Sequence, residues 1–288
     1  MFSTYSISDF LEVPPKLPHF HLNRLEEMPP LPEQIKSPHK HEFYEVFLVK
    51  KGQIWHQVDY QEFELRENSF FFITQGQLHF WSKTDRAQLT GYRLMFTEDF
   101  FQINQPDNQF LFELIYLDNI YQTPLLKIAL ATAPIFSYFD LMYQEFERQD
   151  CNEQAIRSLL FLALTEIQRL MNASKTNLLD KHQLQIYKQF VPLLEANFTQ
   201  KWSVENYAEQ LYITPKNLNR ALQQIVNQNF TTLLQNRITL EAKRLLSFSS
   251  LTVNQIGSQL GFEDSSYFSR FFKKNTSLSP IEFRQKSV

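Results

Sequence analysis

The last third of the chain repeats one pattern, a short capped helix, a tight turn and a second capped helix, and few folds can hold it. In the first copy Ser203 is a candidate N-cap, with Glu205 in the first turn to complement the helix dipole. Val204, Tyr207, Ala208 and Leu211 share one face. Tyr212-Ile213-Thr214 makes the turn, Thr214 can cap the next helix, and Pro215 stands at its first position, where a missing N–H costs nothing. Leu218, Leu222 and Ile225 continue the apolar face, so Lys216, Asn219, Arg220 and Gln223 point away from it. In the second copy Thr252 caps a helix whose buried face is Val253, Ile256 and Leu260, with Gly257 small where two helices cross. Gly261 turns the chain over Phe262, and Asp264 caps a helix whose inner face is Tyr267 or Phe268, with Phe271 and Phe272. Ser265, Ser266, Ser269, Arg270 and Lys273 are left on its outer stripe.

Such an outer stripe suits DNA. A helix fits the major groove, where Arg pairs with guanine, Asn with adenine and Ser with either. Lys273 and Lys274 suit phosphates. One capped helix pair is ordinarily plain packing; two joined by a single helix form a sharper pattern. The connecting helix, expected at Thr231–Ser247, spans roughly 25 Å at about 1.5 Å per residue. That is of the order needed to offer two readers to successive major-groove faces about 34 Å apart.

Charge agrees. The chain of 288 residues carries 28 Lys+Arg and 31 Asp+Glu, a net charge of −3. Residues 180–288 hold 13 basic and 8 acidic residues, while the preceding part is acidic by 8 charges. A basic half beside an acidic half is expected of a nucleic-acid-binding module fused to another domain. With 43% hydrophobic residues the composition excludes disorder and collagen. The longest apolar run, Leu159–Leu164, excludes a membrane span. The first ten residues lack the pattern of a secretory signal, and the single Cys151 reads as a small apolar filler in a reducing cytoplasm.

From Ile256 to Arg284 the chain resembles the signature of the AraC/XylS family of bacterial transcription regulators. The residues that carry the likeness are Ile256-Gly257, Leu260-Gly261-Phe262, Ser266-Tyr267-Phe268-Ser269-Arg270, Phe272-Lys273-Lys274, Ser279-Pro280 and Phe283-Arg284. Arg237, Ala242, Leu245 and Leu246 in the connecting helix fit as well. The resemblance covers residues 183–288 and implies a seven-helix DNA-binding unit with two readers. By position it assigns base contacts to Lys216, Asn219 and Arg220, and to Ser265, Ser266 and Arg270. Where the family often has Phe-Lys-Lys after the first reader, this chain has Leu222-Gln223-Gln224, and the usual glycines after the two readers are Asn227 and Ser277. The second unit is therefore expected to anchor the protein.

The N-terminal half reads differently. Seven of the 13 prolines fall in the first 38 residues, which implies an irregular or strand-edge arm. Residues 39–96 alternate as strands do, as in Ile54-x-His56-x-Val58 and Phe70-x-Phe72, and Gly52, Gly76 and Gly91 are placed for turns. His39-x-His41-x-x-x-Glu45 followed by Gly52 is similar to the first cupin motif, and Gly76-x-x-His79 to part of the second, with Thr74 where Pro is usual. Three uses are open to His39, His41, Glu45 and His79: a divalent transition-metal site, contact with a small organic effector, or packing. The AraC/XylS resemblance favours effector contact, with Tyr44, Trp55, Trp81 and Phe72 as pocket walls, and no cofactor is expected.

Helices are expected at 141–149 and 153–171, the second with a wide apolar face over Ile156, Leu159, Leu160, Leu162, Ala163, Ile167 and Leu170. That face either packs on the barrel or makes a homodimer, and the resemblance favours the dimer. The expected architecture is α+β: a cupin-like β-barrel with appended helices over residues 1–172, a linker at 173–182, and an all-α domain with two helix-turn-helix units at 183–288. Two classes of function remain. One is a cytoplasmic regulator, activation being the expected direction, with promoter DNA, an effector, RNA polymerase and a second copy as partners. The other is a metal-dependent cupin enzyme with a helical interaction module. No nucleophile elbow, phosphate loop or CxxC pattern supports an enzyme.

Overall fold

A computed structural model describes residues 2–29, 36–83, 88–102, 110–114, 117, 125–127, 134–172, 180–200 and 202–287. The chain forms two compact units, Met1–Thr176 and Asn177–Val288. Of the linker expected at 173–182, residues 173–179 lie outside the described residues, and Lys181 and His182 instead open a helix capped by Asp180.

Among the described residues ten strands build the first unit: β1 (Thr4–Tyr5), β2 (Phe20–Arg24), β3 (Lys40–His41), β4 (Tyr44–Lys51), β5 (Ile54–Val58), β6 (Gln61–Leu65), β7 (Ser69–Ile73), β8 (His79–Lys83), β9 (Thr90–Phe96) and β10 (Leu125–Lys127). The larger sheet has the order β10-β7-β4-β9-β2, the smaller β6-β5-β8, and β1 pairs with β3 in parallel. The proline-rich arm thus supplies an edge strand, β2. β4 is buried on both faces, and alternation divides its residues between two cores. Phe47 and Val49 join Ile54, Val58, Leu65, Phe71 and Trp81 between the sheets. Val46 and Leu48 join Phe70, Phe72 and Leu94 on the opposite face. That face is covered by α1 (Pro134–Glu147) and α2 (Glu153–Asn172), through Phe139, Met142, Ile156, Leu160 and Ile167.

Gly91, read above as a turn, instead lies inside β9 opposite Val49. Its φ is +147°, and an added Cβ would stand 2.0 Å from the Leu48 carbonyl oxygen, so the close approach of β4 requires glycine there. The arm is fastened at two points. Phe10 packs edge-on against Phe43 and beside His39, and further along the chain Lys16 donates from Nζ to the carbonyls of Phe146 and Arg148 at the end of α1.

Among the described residues the second unit has seven helices: α3 (Lys181–Asn197), α4 (Val204–Gln210), α5 (Pro215–Val226), α6 (Phe230–Phe248), α7 (Val253–Gln259), α8 (Ser265–Thr276) and α9 (Pro280–Ser287). α3 begins after Asp180, whose carboxylate accepts from the His182 and Gln183 amides. The connecting helix α6 has 19 residues and spans roughly 28 Å. It is fixed by Arg237, which lies over the Phe198 ring at 4.0 Å and pairs with Glu195 at 2.8 Å and Glu241 at 3.0 Å. Arg284 donates to the Leu246 and Leu251 carbonyls at 3.0 and 2.7 Å, closing the last helix onto the end of α6.

Candidate functional site

Between the two sheets lies a buried polar cluster. The cupin-like spacing brings His39, His41, Glu45 and His79 together, each no more than 2% exposed. The His39 and His79 backbones exchange hydrogen bonds at 3.1 and 3.0 Å, which sets the two rings 4.4 Å apart. Two further members were not singled out from the sequence. His56 is fully buried and its Nε2 is 2.9 Å from His79 Nδ1. Arg93, two residues along β9 from Met95, the partner of Glu45, reaches Glu45 Oε1 with both Nε and Nη2 at 2.5 Å. The alternation Ile54-x-His56-x-Val58 already put His56 on the inner face with two core residues. Arg93 stands between Tyr92 and Leu94 in an otherwise apolar run, a signal equally present in the sequence.

Charge in the cluster is set by burial and by one cation. Burial would raise the Glu45 carboxyl, but Arg93, with help from His41, outweighs it and holds the group at about 2. Burial pushes His56 down to about 3 and His79 well below the ordinary imidazole range, and it lowers His39. These three imidazoles are therefore neutral at neutral pH and have a lone pair to offer. Among the described residues, His41, Glu45 and His79 form a group able to hold a metal ion, with one ligand atom from each within 4.8 Å of the others. The donor set fits a transition metal: imidazole nitrogens in majority and one carboxylate oxygen.

The expected pocket walls divide. Trp81 is in the cluster, edge-on to His56 at 4.4 Å and to Phe47 at 5.0 Å. Tyr44 and Phe72 belong to the core on the helix-covered face of the large sheet, and Tyr44 stacks on Phe96 and donates to Glu98. Trp55 alternates with the buried Ile54 and His56 and lies on the outer face of β5. These three are corrected: the period of two in a strand separates each from the histidines.

In the second unit both helix pairs carry their caps. Ser203 N donates to Asn206 at 2.9 Å, and Thr214 accepts from Asn217 N at 3.2 Å. Thr252 and Gln255 form a reciprocal box, and Asp264 accepts from Ser266 N at 2.8 Å. Asn227 and Ser277 both take the left-handed conformation that ends α5 and α8. Gly257 packs on Phe268, where an added Cβ would meet that side chain's carbons at 3.2–3.3 Å.

Lys216 and Arg220 on α5, and Ser266, Arg270, Lys273 and Lys274 on α8, are exposed. Ser265, at the first position of α8, is half-buried. Asn219 departs from its expected place. It is half-buried, its amide donates to the Pro215 carbonyl at 3.2 Å, and its oxygen accepts from Phe230 N at 3.0 Å. Its side chain holds the start of α6 instead of the outer stripe. The choice between Tyr267 and Phe268 is also settled: Phe268 is buried and Tyr267 is 58% exposed.

A sheet domain enclosing a polar cluster, followed by two capped helix-turn-helix pairs on one connecting helix, defines the class of two-part regulators that couple a ligand-binding domain to a DNA-binding one. Two family profiles match in this order: an AraC-like ligand binding domain over residues 30–164, and a helix-turn-helix domain over residues 207–286. The chain belongs to the AraC family of transcription regulators. It is similar to the HTH-type transcriptional activator RhaS of Salmonella schwarzengrund, 26% identical over 260 residues, with 89% of this chain and 90% of the relative covered. The same activator from Salmonella arizonae is 26% identical over 265 residues, with the same coverage. Among solved structures, the C-terminal domain of AraT, a response regulator from Geobacillus stearothermophilus, shares 27% identity over 35% of this chain and 84% of that one, with a TM-score of 0.34. ToxT from Vibrio cholerae O395, bound to (E)-4-(8-methylnaphthalen-1-yl)but-3-enoic acid, shares 14% identity over 94% of this chain and 100% of that one, with a TM-score of 0.41.

Proposed function

We propose that the protein is a transcription activator that reads promoter DNA with α5 and α8 and responds to a small molecule bound between the sheets of its first unit. The observation that carries this reading is the pair of capped helices at either end of α6, each with an exposed polar stripe. In the reading, Lys216 and Arg220 meet bases from α5. Ser265, Ser266 and Arg270 do so from the N-terminal part of α8, where a helix in the major groove makes its base contacts. Lys273 and Lys274 pair with phosphates. His39, His41, Glu45, His79 and Trp81 contact the effector. The exposed Phe161 and Leu162 of α2 serve a homodimer, and the bound protein contacts RNA polymerase in the cytoplasm.

The test is selection of genomic duplex fragments by the full chain, followed by titration of the bound fragment against salt. Phosphate neutralisation predicts a steep linear fall of log affinity with log salt, and affinity for the selected fragment well above that for random duplex. Equal affinity for selected and random DNA would count against the reading. An enzyme reading leaves both outer stripes without a use.

A further inference from the structure

We infer that the first unit holds a divalent transition-metal ion on His79 Nε2, an imidazole nitrogen of His41 and Glu45 Oε2, and that His56 and Arg93 are the positioning residues that aim these ligands. Buried polar atoms in folded proteins are paired, and each exception calls for a partner such as an ion. Here His39 Nε2, both nitrogens of His41, His56 Nδ1 and His79 Nε2 are buried with no hydrogen-bond partner among the described residues. Of these residues, His41 and His79 belong with Glu45 to one group whose ligand atoms lie within 4.8 Å of one another, which plain packing does not explain.

Each ligand is held from behind. For His79 to offer the Nε2 lone pair, its proton must sit on Nδ1, and His56 Nε2 at 2.9 Å is the acceptor for that proton. Arg93 takes Oε1 of Glu45 with two N–H groups and leaves Oε2, which lies 3.6 Å from His41 Nε2. A ligating histidine or carboxylate fixed by a hydrogen bond on its other atom is the arrangement metal sites use. Neither His56 nor Arg93 belongs to the His/Glu spacing in the sequence. His39, which does, has its Nδ1 on the Ser37 carbonyl at 2.8 Å and lies outside the ligand group.

The charges choose the ion. Arg93 neutralises Glu45, so the cluster lacks the surplus of carboxylate that magnesium or calcium needs. Zinc, nickel, cobalt and ferrous iron accept imidazole. Three protein ligands leave a coordination position for a non-protein ligand, and in this way the inference deepens the effector reading of the same cluster.

The inference is tested on the full chain stripped with EDTA, without DNA or effector, so its failure leaves the DNA-binding reading standing. Cobalt(II) is the first probe, because its visible absorption reports nitrogen ligation, followed by zinc and magnesium by calorimetry. Expected are one equivalent of cobalt or zinc per chain and no magnesium. His79→Ala should lose at least about 100-fold in zinc affinity, and His56→Ala about 10–100-fold. His56→Gln, which can still accept from His79, should recover most of that loss. His182→Ala, on an exposed position of α3, should change nothing. Cobalt binding to the wild-type chain that is substoichiometric, or without a nitrogen-ligand spectrum, overturns the site whether or not the variants fold. Wild-type affinity in a folded His56→Ala overturns the role given to His56.

Discussion

At the scale of single residues, polar side chains on the two recognition helices have different fates, and mutation separates them. Arg270 is exposed on α8, so Arg270→Ala should cost about 1–3 kcal/mol on the selected duplex and relax the preference at one base. Equal losses on selected and random DNA would remove it from the base-reading set. Lys274→Ala should weaken all sequences alike and lower the salt slope by about one. Asn219→Ala should act on the fold, because it leaves Phe230 N without its acceptor. A loss of about 1–2 kcal/mol in denaturant unfolding, with base preference unchanged, is expected. The outer stripe of α5 was legible from helical spacing. The fate of Asn219 was not, because its partner Phe230 belongs to another helix that spacing along α5 cannot see.

At the scale of elements, turns and close approaches decide what each segment tolerates. Gly261 has φ +83°, and a Cβ there would stand 2.1 Å from the Thr199 carbonyl. Gly261→Ala should destabilise the second unit by more than about 1 kcal/mol, read as a lower midpoint in urea. Ala at Gly91 should do the same to the first unit for the reason given by Leu48 O. Ser277 shows the limit of local rules, since serine takes the left-handed cap of α8 with φ +65° where glycine is the usual choice. The helix pairs were readable because caps, turns and apolar faces are local. Inside the strands, alternation already grouped His56 with Ile54 and Val58 and separated Trp55 from them. Tyr44 and Phe72 were harder to place. β4 and β7 are apolar on both faces, and only the helices packed against one face tell the two cores apart.

At the scale of the whole molecule, acidity should separate the two units. Burial, and then the charge on Arg93, lower His21 to about 4. Between the ordinary imidazole value near 6.5 and about 4, the unfolded chain takes up a proton that the folded chain refuses. The stabilisation is thus complete above pH 6.5 and declines as pH falls toward 4. Melting curves across this range should show the first unit losing midpoint temperature on acidification. His21→Leu should make the dependence shallower, with His39, His56 and His79, which burial also lowers, supplying the rest, and an unchanged slope would refute the assignment. The two-unit layout was legible from the shift in charge and periodicity, whereas Arg93, remote in sequence from every partner it serves, required the folded sheet. Lys16 and Phe10 bear on the same scale. One short length of backbone is braced against the histidine cluster at Phe10 and hooked to the end of α1 at Lys16. With only five residues of slack between brace and hook, an occupant that pushes the Phe10 ring aside pulls on the helical hairpin as well.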